Sequence, residues 1–318
     1  MGKAMTQGQY DETTADEPNE AAEEKRHADY KRTGRMTLYV RRFFRRPSAV
    51  LGLVLLVLLV FFAVFGNKFT HWTYQDLDFA ALGVPPNSDH LLGTTSGGSD
   101  MYAMVVRGLG RSMSIGFLSS ILETIIAAII GTSIAFFGGW FEKVGMWCLD
   151  MLMVIPSFLL IAMLVRSSSG TAGWLWLTFG LTVFGWIGYA RTLRTLALSL
   201  RELDYVRASK FMGVGSFRII VRHLVPNLGS VLIINTVLGV VGSVGSETSL
   251  SFLGLGIKAP DTSLGTLLNE GQSVAITAPW VLLAPSLVLI ALTFSVQLIG
   301  DGIRDAIDPN SRSVGKAE

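Results

Sequence analysis

The sequence predicts an all-α protein that crosses a membrane several times, and three observations carry that expectation. Half of the 318 residues are hydrophobic and the mean hydropathy is +0.48, which excludes an ordinary soluble domain. Six apolar runs recur along the chain with polar segments between them. Lys and Arg concentrate in alternate connecting segments, so charge placement supports the same topology as hydropathy.

Taken in order, residues 1–34 are rich in charge and poor in apolar side chains, as in a disordered, solvated tail. Residues 35–66 hold a basic flank (Arg41, Arg42, Arg45, Arg46) and a first span, Ala49–Phe65. A basic flank ahead of a span keeps the N-terminus inside, and no small-residue cleavage site follows, so the run reads as an anchor. Residues 67–111 read as a polar external segment containing Trp72, Pro85, Pro86 and a glycine patch at Gly97 and Gly98.

Five more spans are expected within 112–301. The second is Met113–Phe137. After an inside loop at Gly138–Lys143, the third runs from Gly145 to Val165 with a kink at Pro156. Arg166–Gly170 is an outside loop, and the fourth span is Ala172–Tyr189, with Trp174, Trp176 and Trp186 as interface or packing aromatics. A basic inside loop covers 191–227 and the fifth span is Ser230–Val244. Ser246–Trp280 is an external re-entry region with Lys258 as its one basic residue. The sixth is Val281–Gly300, with Pro285 tolerated in its first turn, and 302–318 is an inside tail. Six transmembrane helices leave both termini cytoplasmic.

Other chemistry is thinly represented. Cys148 is the one cysteine, so neither an internal disulfide nor a multi-cysteine metal site can form. His27, His71, His90 and His223 lack ligand spacing. Gly315-Lys316 lacks the upstream glycine and following hydroxyl of a phosphate-binding loop. If ATP drives this protein, another chain binds it.

The loop 191–227 carries seven Lys and Arg against two acids, which assigns it to the cytoplasmic side. Its pattern predicts a helix over Leu200–Met212 with Leu203, Val206 and Phe211 on its apolar face. Gly213 and Gly215 then supply a C-cap and turn. Ser216 is placed to N-cap a second short helix through Ile220 and His223, closed by Pro226. Helical phase with glycine punctuation in so long a loop points to docking rather than solvation.

This stretch resembles the cytoplasmic coupling loop of permeases of binding-protein-dependent ATP-binding-cassette (ABC) importers. That family's Glu-Ala-Ala, Gly, Ile-x-Leu-Pro pattern falls on Arg207-Ala208-Ser209, Gly213 and Leu224-Val225-Pro226, with Arg207 standing where Glu is usual. Further segments resemble dipeptide and oligopeptide permeases of the C type. These are Arg45–Gly52, His90–Thr94, Phe137–Trp140, Asp150 with Ile155-Pro156, Glu247–Gly256 and Leu298–Pro309. In the His90 segment Leu91 replaces Pro and Thr95 replaces Asp.

The resemblance implies a type I ABC importer permease fold and a transport subunit rather than an enzyme. It further implies movement of peptides or similar small solutes across a bacterial or archaeal cell membrane. It implies a second homologous permease, two ATPase subunits holding ATP and Mg, and an extracytoplasmic substrate-binding protein, with no cofactor on this chain and no nucleic acid. The ATPase-coupling residues it marks are Asp204, Arg207, Ala208, Ser209, Gly213, Ser216 and Pro226. A self-contained secondary transporter or channel is the alternative, but neither inverted repeats nor a coupling-ion site is evident. A membrane enzyme lacks its metal cluster or nucleophile elbow.

Two small-residue stripes cross the spans. Ser119, Glu123, Ala127, Gly131 and Ala135 recur at i, i+4, as do Asn235, Gly239, Ser243 and Glu247. A charge at mid-span costs about 2.5–3.5 kcal/mol, so Glu123 requires close packing or a wet cavity. Ser119, Glu123, Gly131, Asn235, Gly239, Ser243 and Glu247 are the translocation-path candidates. Ser119, Glu123, Gly131, Asn235 and Ser243 are expected at a partner-permease interface, and Glu247 near an external gate. Ile121, Ile125 and Ile129 are expected toward lipid or outer helices.

Overall fold

The computed structural model describes residues 35–166 and 172–307. The tail expected over 1–34, residues 167–170 of the loop Arg166–Gly170, and the chain from 308 on, with Asp308 and Pro309, lie outside the described residues.

The described chain is helical: α1 Arg35–Phe44, α2 Pro47–Phe65, α3 Met101–Phe137, α4 Gly139–Val154, α5 Ser157–Arg166, α6 Gly173–Arg201, α7 Asp204–Phe211, α8 Ser216–Ile219, α9 Val225–Asn227, α10 Gly229–Phe252, α11 Leu264–Ser273 and α12 Pro279–Ile307. Among the described residues no strand forms; two isolated antiparallel bridges, Leu77 with Ser99 and Thr94 with Asp100, tie down the polar segment before α3. Four helical stretches are long and apolar enough to cross a membrane: 47–69, 101–137, 229–252 and 279–307. The pair α4 and α5, bent by 68°, makes a possible fifth. The bend falls at Pro156, as the sequence predicts. α6 is long enough at 29 residues, but its Gly, Trp and Thr and the arginines of its second half dilute its leucines, so apolarity alone does not mark it as a span.

Local chemistry accounts for the boundaries. Pro47 opens α2 after an extended Arg46. Asp100 caps α3, its Oδ1 accepting from the Ala103 amide at 2.8 Å. Gly138 and Gly139 adopt φ of +64° and +56°, so the inside loop expected to reach Lys143 collapses to one tight turn, and Lys143 lies in α4. Helix α6 runs unbroken to Arg201, so the first part of the basic loop continues that helix instead of forming a loop. Chain direction breaks at Glu202–Leu203, so the first loop helix starts at Asp204 rather than Leu200. Gly215, not Ser216, is the N-cap of α8. Pro226 sits inside α9, after a π turn at Ile220–Leu224. Pro226 lacks an amide donor and crowds the preceding turn, and the wide turn accommodates it. Pro285 lies in the second turn of α12, not the first.

Helices α3 and α6 form the most extensively packed pair. Ser119 meets Thr178 and Ala135 meets Arg201, so the two run parallel. A parallel pair joined by α4 and α5 requires that bent pair to return the chain across the same thickness. Helix α10 lies antiparallel to α3, with Ser112 beside Glu247 and Ser120 beside Thr236. Helix α12 packs on α2, and α11 is wedged between α10 and α12 at the end opposite the basic loop.

Candidate functional site

Where α3, α5, α6 and α10 meet, they leave a cavity of about 470 Å³ lined in part by Glu123, Gly185, Tyr189, Gly239, Ser243 and Ser246. Glu123 of the first stripe and Gly239 and Ser243 of the second thus meet at one cavity inside the chain. Glu123 is 5% exposed. Its carboxyl lies against the bare backbone of Gly185, where a Cβ would overlap it. Ser243 Oγ donates to Glu123 Oε1 at 3.5 Å. Small residues are what allow the cavity: Gly239 is pressed against Ser120 so closely that a Cβ would clash.

The outward orientation expected of the first stripe is corrected. Ser119 is fully buried, its hydroxyl donating to the Thr178 carbonyl at 3.5 Å. Gly131 is pressed on the Ala190 carbonyl. Both serve the seam between α3 and α6, because that close parallel packing consumes the small-residue face. Ile121, Ile125 and Ile129 are exposed at 44%, 51% and 43% and form the outer face of α3. Asn235 is half-buried, and its Nδ2 is without a hydrogen-bond partner among the described residues. Glu247 is sealed rather than open to a gate. It accepts from Ser112 Oγ at 2.9 Å and Ser251 Oγ at 2.8 Å, while the Leu264 amide at the start of α11 donates to Ser112 Oγ.

Sequence reasoning missed the ionic clamp at this end. Arg107 and Arg111, one turn apart on α3, both meet buried Asp261, at 2.8 and 2.7 Å. Their guanidinium groups lie over the rings of Tyr74 and Trp174. The i, i+4 arginine pair was the available signal; its acidic partner lies 150 residues on and no local pattern reveals it. Nearby, buried His90 stacks on Trp72 and meets Asp100 at 2.9 Å, so Asp100 both caps α3 and holds the imidazole.

At the basic end, Glu142 pairs with Arg194, Asp150 with Arg191 at 3.1 Å, and Arg201 Nη1 donates to the Ala135 carbonyl at 2.6 Å. Beyond Arg201 the loop folds back. Gly213 ends α7 with φ of +76°, as the sequence predicts, and the Val214 amide returns to the Ser209 carbonyl. Val206, Ile219 and Leu224 are buried in one cluster with Ala135, Leu193 and Ala197. The opposite side is bare: Phe211, Met212 and Phe217 are 90%, 74% and 71% exposed.

Asp204, Arg207 and Ala208 are exposed, Ser209 is buried with its hydroxyl donating to the Tyr205 carbonyl, Ser216 is half-buried, and Pro226 is exposed. Asn227 Nδ2 donates to the Tyr205 hydroxyl at 2.7 Å and closes the loop. Arg207 pairs with Glu202. Hydrogen bonds from Arg207 and then Arg201 hold the Glu202 carboxyl below its usual range, and Glu202 in turn raises Arg207. Among the described residues no group of His, Cys, Asp or Glu is placed to hold a metal.

Comparison with known proteins bears on both regions. Residues 111–313 match the family described as the binding-protein-dependent transport system inner membrane component. Residues 35–86 match the N-terminal TM domain of oligopeptide transport permease C. The chain is 45% identical over 280 residues to the oligopeptide transport system permease protein OppC of Mycobacterium tuberculosis, covering 88% of this chain and 96% of that one. It is 33% identical over 272 residues to the protein of the same name from Bacillus subtilis, covering 85% and 88%. It is 32% identical over 281 residues to a putative peptide permease protein of Brucella suis, covering 88% and 92%.

Proposed function

The chain belongs to the binding-protein-dependent transport system inner membrane component family, and from that premise we propose how it works in an ABC importer of peptides or similar small solutes. It is a multi-pass membrane permease subunit. Its partners are a second homologous permease, two ATPase subunits and an extracytoplasmic binding protein that delivers the cargo. ATP and Mg are held on the ATPases, and this chain is not itself an enzyme. It resides in the cell membrane with both termini cytoplasmic. Residues 35–66 anchor it, 67–111 lie outside, 112–301 form the transport core and 302–318 end inside. We take α6 as a further crossing, fourth in chain order, which brings the total to six, because it runs parallel to α3 through the same thickness.

One observation carries the coupling assignment. A loop tied by its buried side to the ends of α3 and α6 presents a bare apolar cap of Phe211, Met212 and Phe217. Solvent alone does not favour such a patch on a charged loop; a groove on an ATPase subunit would cover it. Asp204, Arg207 and Ser216 flank the cap, Gly213 sets the turn, and Ala208, Ser209 and Pro226 hold its shape. Motion of the ATPases is passed to α6, whose residues Gly185 and Tyr189 border the cavity. Gly185 is sixteen residues from Arg201, roughly 24 Å along the helix axis. Glu123, Gly239 and Ser243 line the solute path, and Asn235 offers a free amide donor further toward the basic end. Ser119, Gly131 and Glu247 support the path by packing.

The test is cysteine cross-linking from positions 211 and 217, in a Cys148→Ala background, within the assembled transporter. Adducts to the ATPase subunits that change between ATP-bound and ATP-free states are expected. Absence of adducts at both positions in an active complex would remove the docking assignment. Reporter fusions at residue 318 and within 246–280 are expected on opposite sides of the membrane.

A further inference from the structure

Helix α1 is not part of the path or the docking loop, yet it is firmly placed. Arg46 pairs with Asp305 at 2.7 Å, and Arg42 Nη1 donates to the Ala306 carbonyl at 3.3 Å, so α1 is fastened across the end of α12. Between α1 and the ends of α2, α10 and α12 lies an apolar groove of about 330 Å³, lined in part by Tyr39, Val40, Phe44, Leu53, Ile233 and Ile303. Val40 and Phe44 are 54% and 57% exposed. A soluble surface would not leave them bare.

The four arginines between positions 41 and 46, at the end of α1 and in the turn after it, divide into two sets. Arg42 and Arg46 are used on α12. Arg41 and Arg45 are exposed and without a side-chain partner among the described residues. Arg41 neighbours Phe44 at i, i+3 on α1, and Arg45 follows Phe44 where the helix ends, so positive charge borders the groove at its exposed Phe44 wall. Depth agrees with this arrangement. Pro47 starts a helix of 19 apolar-rich residues, so Arg45 lies at headgroup level. Leu53 lies six residues beyond Pro47, roughly 9 Å into the hydrocarbon. Elsewhere on α2, Leu51, Val54, Val57 and Leu58 are also bare.

We propose that this groove is a binding site for an anionic phospholipid of the cytoplasmic leaflet, with an acyl chain along Val40, Leu53 and Ile303 and its phosphate met by Arg41 and Arg45. The apolar lining suits a hydrocarbon chain and supplies no hydrogen-bonding group for a polar ligand. The unpaired arginines at its rim supply charge complementarity that a zwitterionic headgroup satisfies less well. The lipid then acts as a wedge that holds α1 at a set distance from α10. The leaflet, though not the site, rests on the orientation proposed above.

The experiment uses the full complex exchanged into nanodiscs of equal phosphatidylglycerol and phosphatidylcholine, followed by native mass spectrometry of retained lipid. Wild type is expected to retain phosphatidylglycerol preferentially. Arg41→Gln with Arg45→Gln is expected to lower that preference about fivefold per arginine. Both side chains are solvent-exposed, so the variant keeps its fold. Ile303→Trp, which fills the groove, is expected to lower retention of either lipid there while leaving both arginines in place. Equal retention of the two lipids by wild type, unchanged preference in the arginine variant, or unchanged lipid retention in Ile303→Trp overturns the proposal. So does a disulfide from Val40→Cys to another subunit in active complex, which would put protein in the groove. A reversed topology would appear in the reporter fusions and not in lipid retention, so the two readings fail separately.

Discussion

The Glu123 carboxyl rests on the backbone of Gly185, with no side chain between α3 and α6 at that level. A charged or polar group at mid-membrane is thereby presented to a cavity instead of to lipid, and its position depends on the absence of one methyl group. Gly185→Ala is expected to displace the carboxyl and to destabilise the subunit by about 1–3 kcal/mol, the usual cost of overpacking. Thermal unfolding of the purified complex measures the stability change, and vesicle uptake measures transport. Wild-type uptake with an unchanged melting temperature would mean that the two helices separate freely here.

Glu123→Gln keeps the shape of the side chain and removes its charge. If the carboxylate attracts the ammonium group of a peptide, uptake is expected to fall about tenfold or more with basal ATPase activity retained, since an ion pair in a partly desolvated site is worth about 1–3 kcal/mol. Full uptake by this variant would leave Glu123 a packing and hydrogen-bonding residue. In a Cys148→Ala background, a water-soluble thiol reagent is expected to reach Ser243→Cys during turnover and to leave Ile125→Cys unmodified. Equal labelling at both positions contradicts the inward orientation of the stripe.

Gly213 holds φ of +76° with open space around its α-carbon, so conformation and not crowding is what a substitution disturbs. Gly213→Val is expected to cost about 1–2 kcal/mol or more locally. It should leave membrane insertion intact and separate ATP hydrolysis from uptake. Gly213→Asn, which tolerates this backbone better, is expected to retain most uptake. Equal behaviour of the two variants would show that the turn's backbone is not what matters.

Glu202 titrates below an ordinary carboxylate because Arg207 and Arg201 donate to its charged form. A depressed folded-state value stabilises the loop above the unfolded value of about 4.3. That contribution fades as pH falls below it through the folded value. Hydrogen-exchange protection of 202–213 is therefore expected to drop in the acid range below about pH 4.3 and to lose that drop in Glu202→Gln. Both groups are fully exposed, so the effect is small and salt-sensitive. Arg207→Glu sets two acids side by side and is expected to weaken ATPase copurification; Glu202→Arg added to it restores the pair with reversed sign. Failure of the reversal to restore assembly would place the partner of Arg207 on another chain.

The sequence made legible what depends on local chemistry. The apolar runs, the break at Pro156 and the left-handed turn at Gly213 follow from residue types at known spacing. Partner choice did not. The small residues around Glu123 were readable as one face, but whether α6 or a second chain covers that face depends on Gly185 and Ala190, more than fifty residues away. Helix ends in the basic loop were misplaced for a related reason. Arg191, Arg194 and Arg201 look like solvated loop residues until Asp150, Glu142 and the Ala135 carbonyl are brought to them.

The composition of α6 has a consequence for how the protein is made. Gly185 and Ala190 let it lie close along α3, while its glycines and tryptophans lower its own tendency to leave water for hydrocarbon. Partitioned alone it is a poor client of the insertion machinery. Beside α3, with Gly131 against Ala190 and the Glu123 carboxyl against Gly185, its glycine face is already covered. With α6 taken as a crossing, biogenesis is expected to be ordered: the earlier helix waits in the bilayer when the later one emerges from the ribosome, and a lesion in α3 is expected to surface as a failure of α6 to integrate.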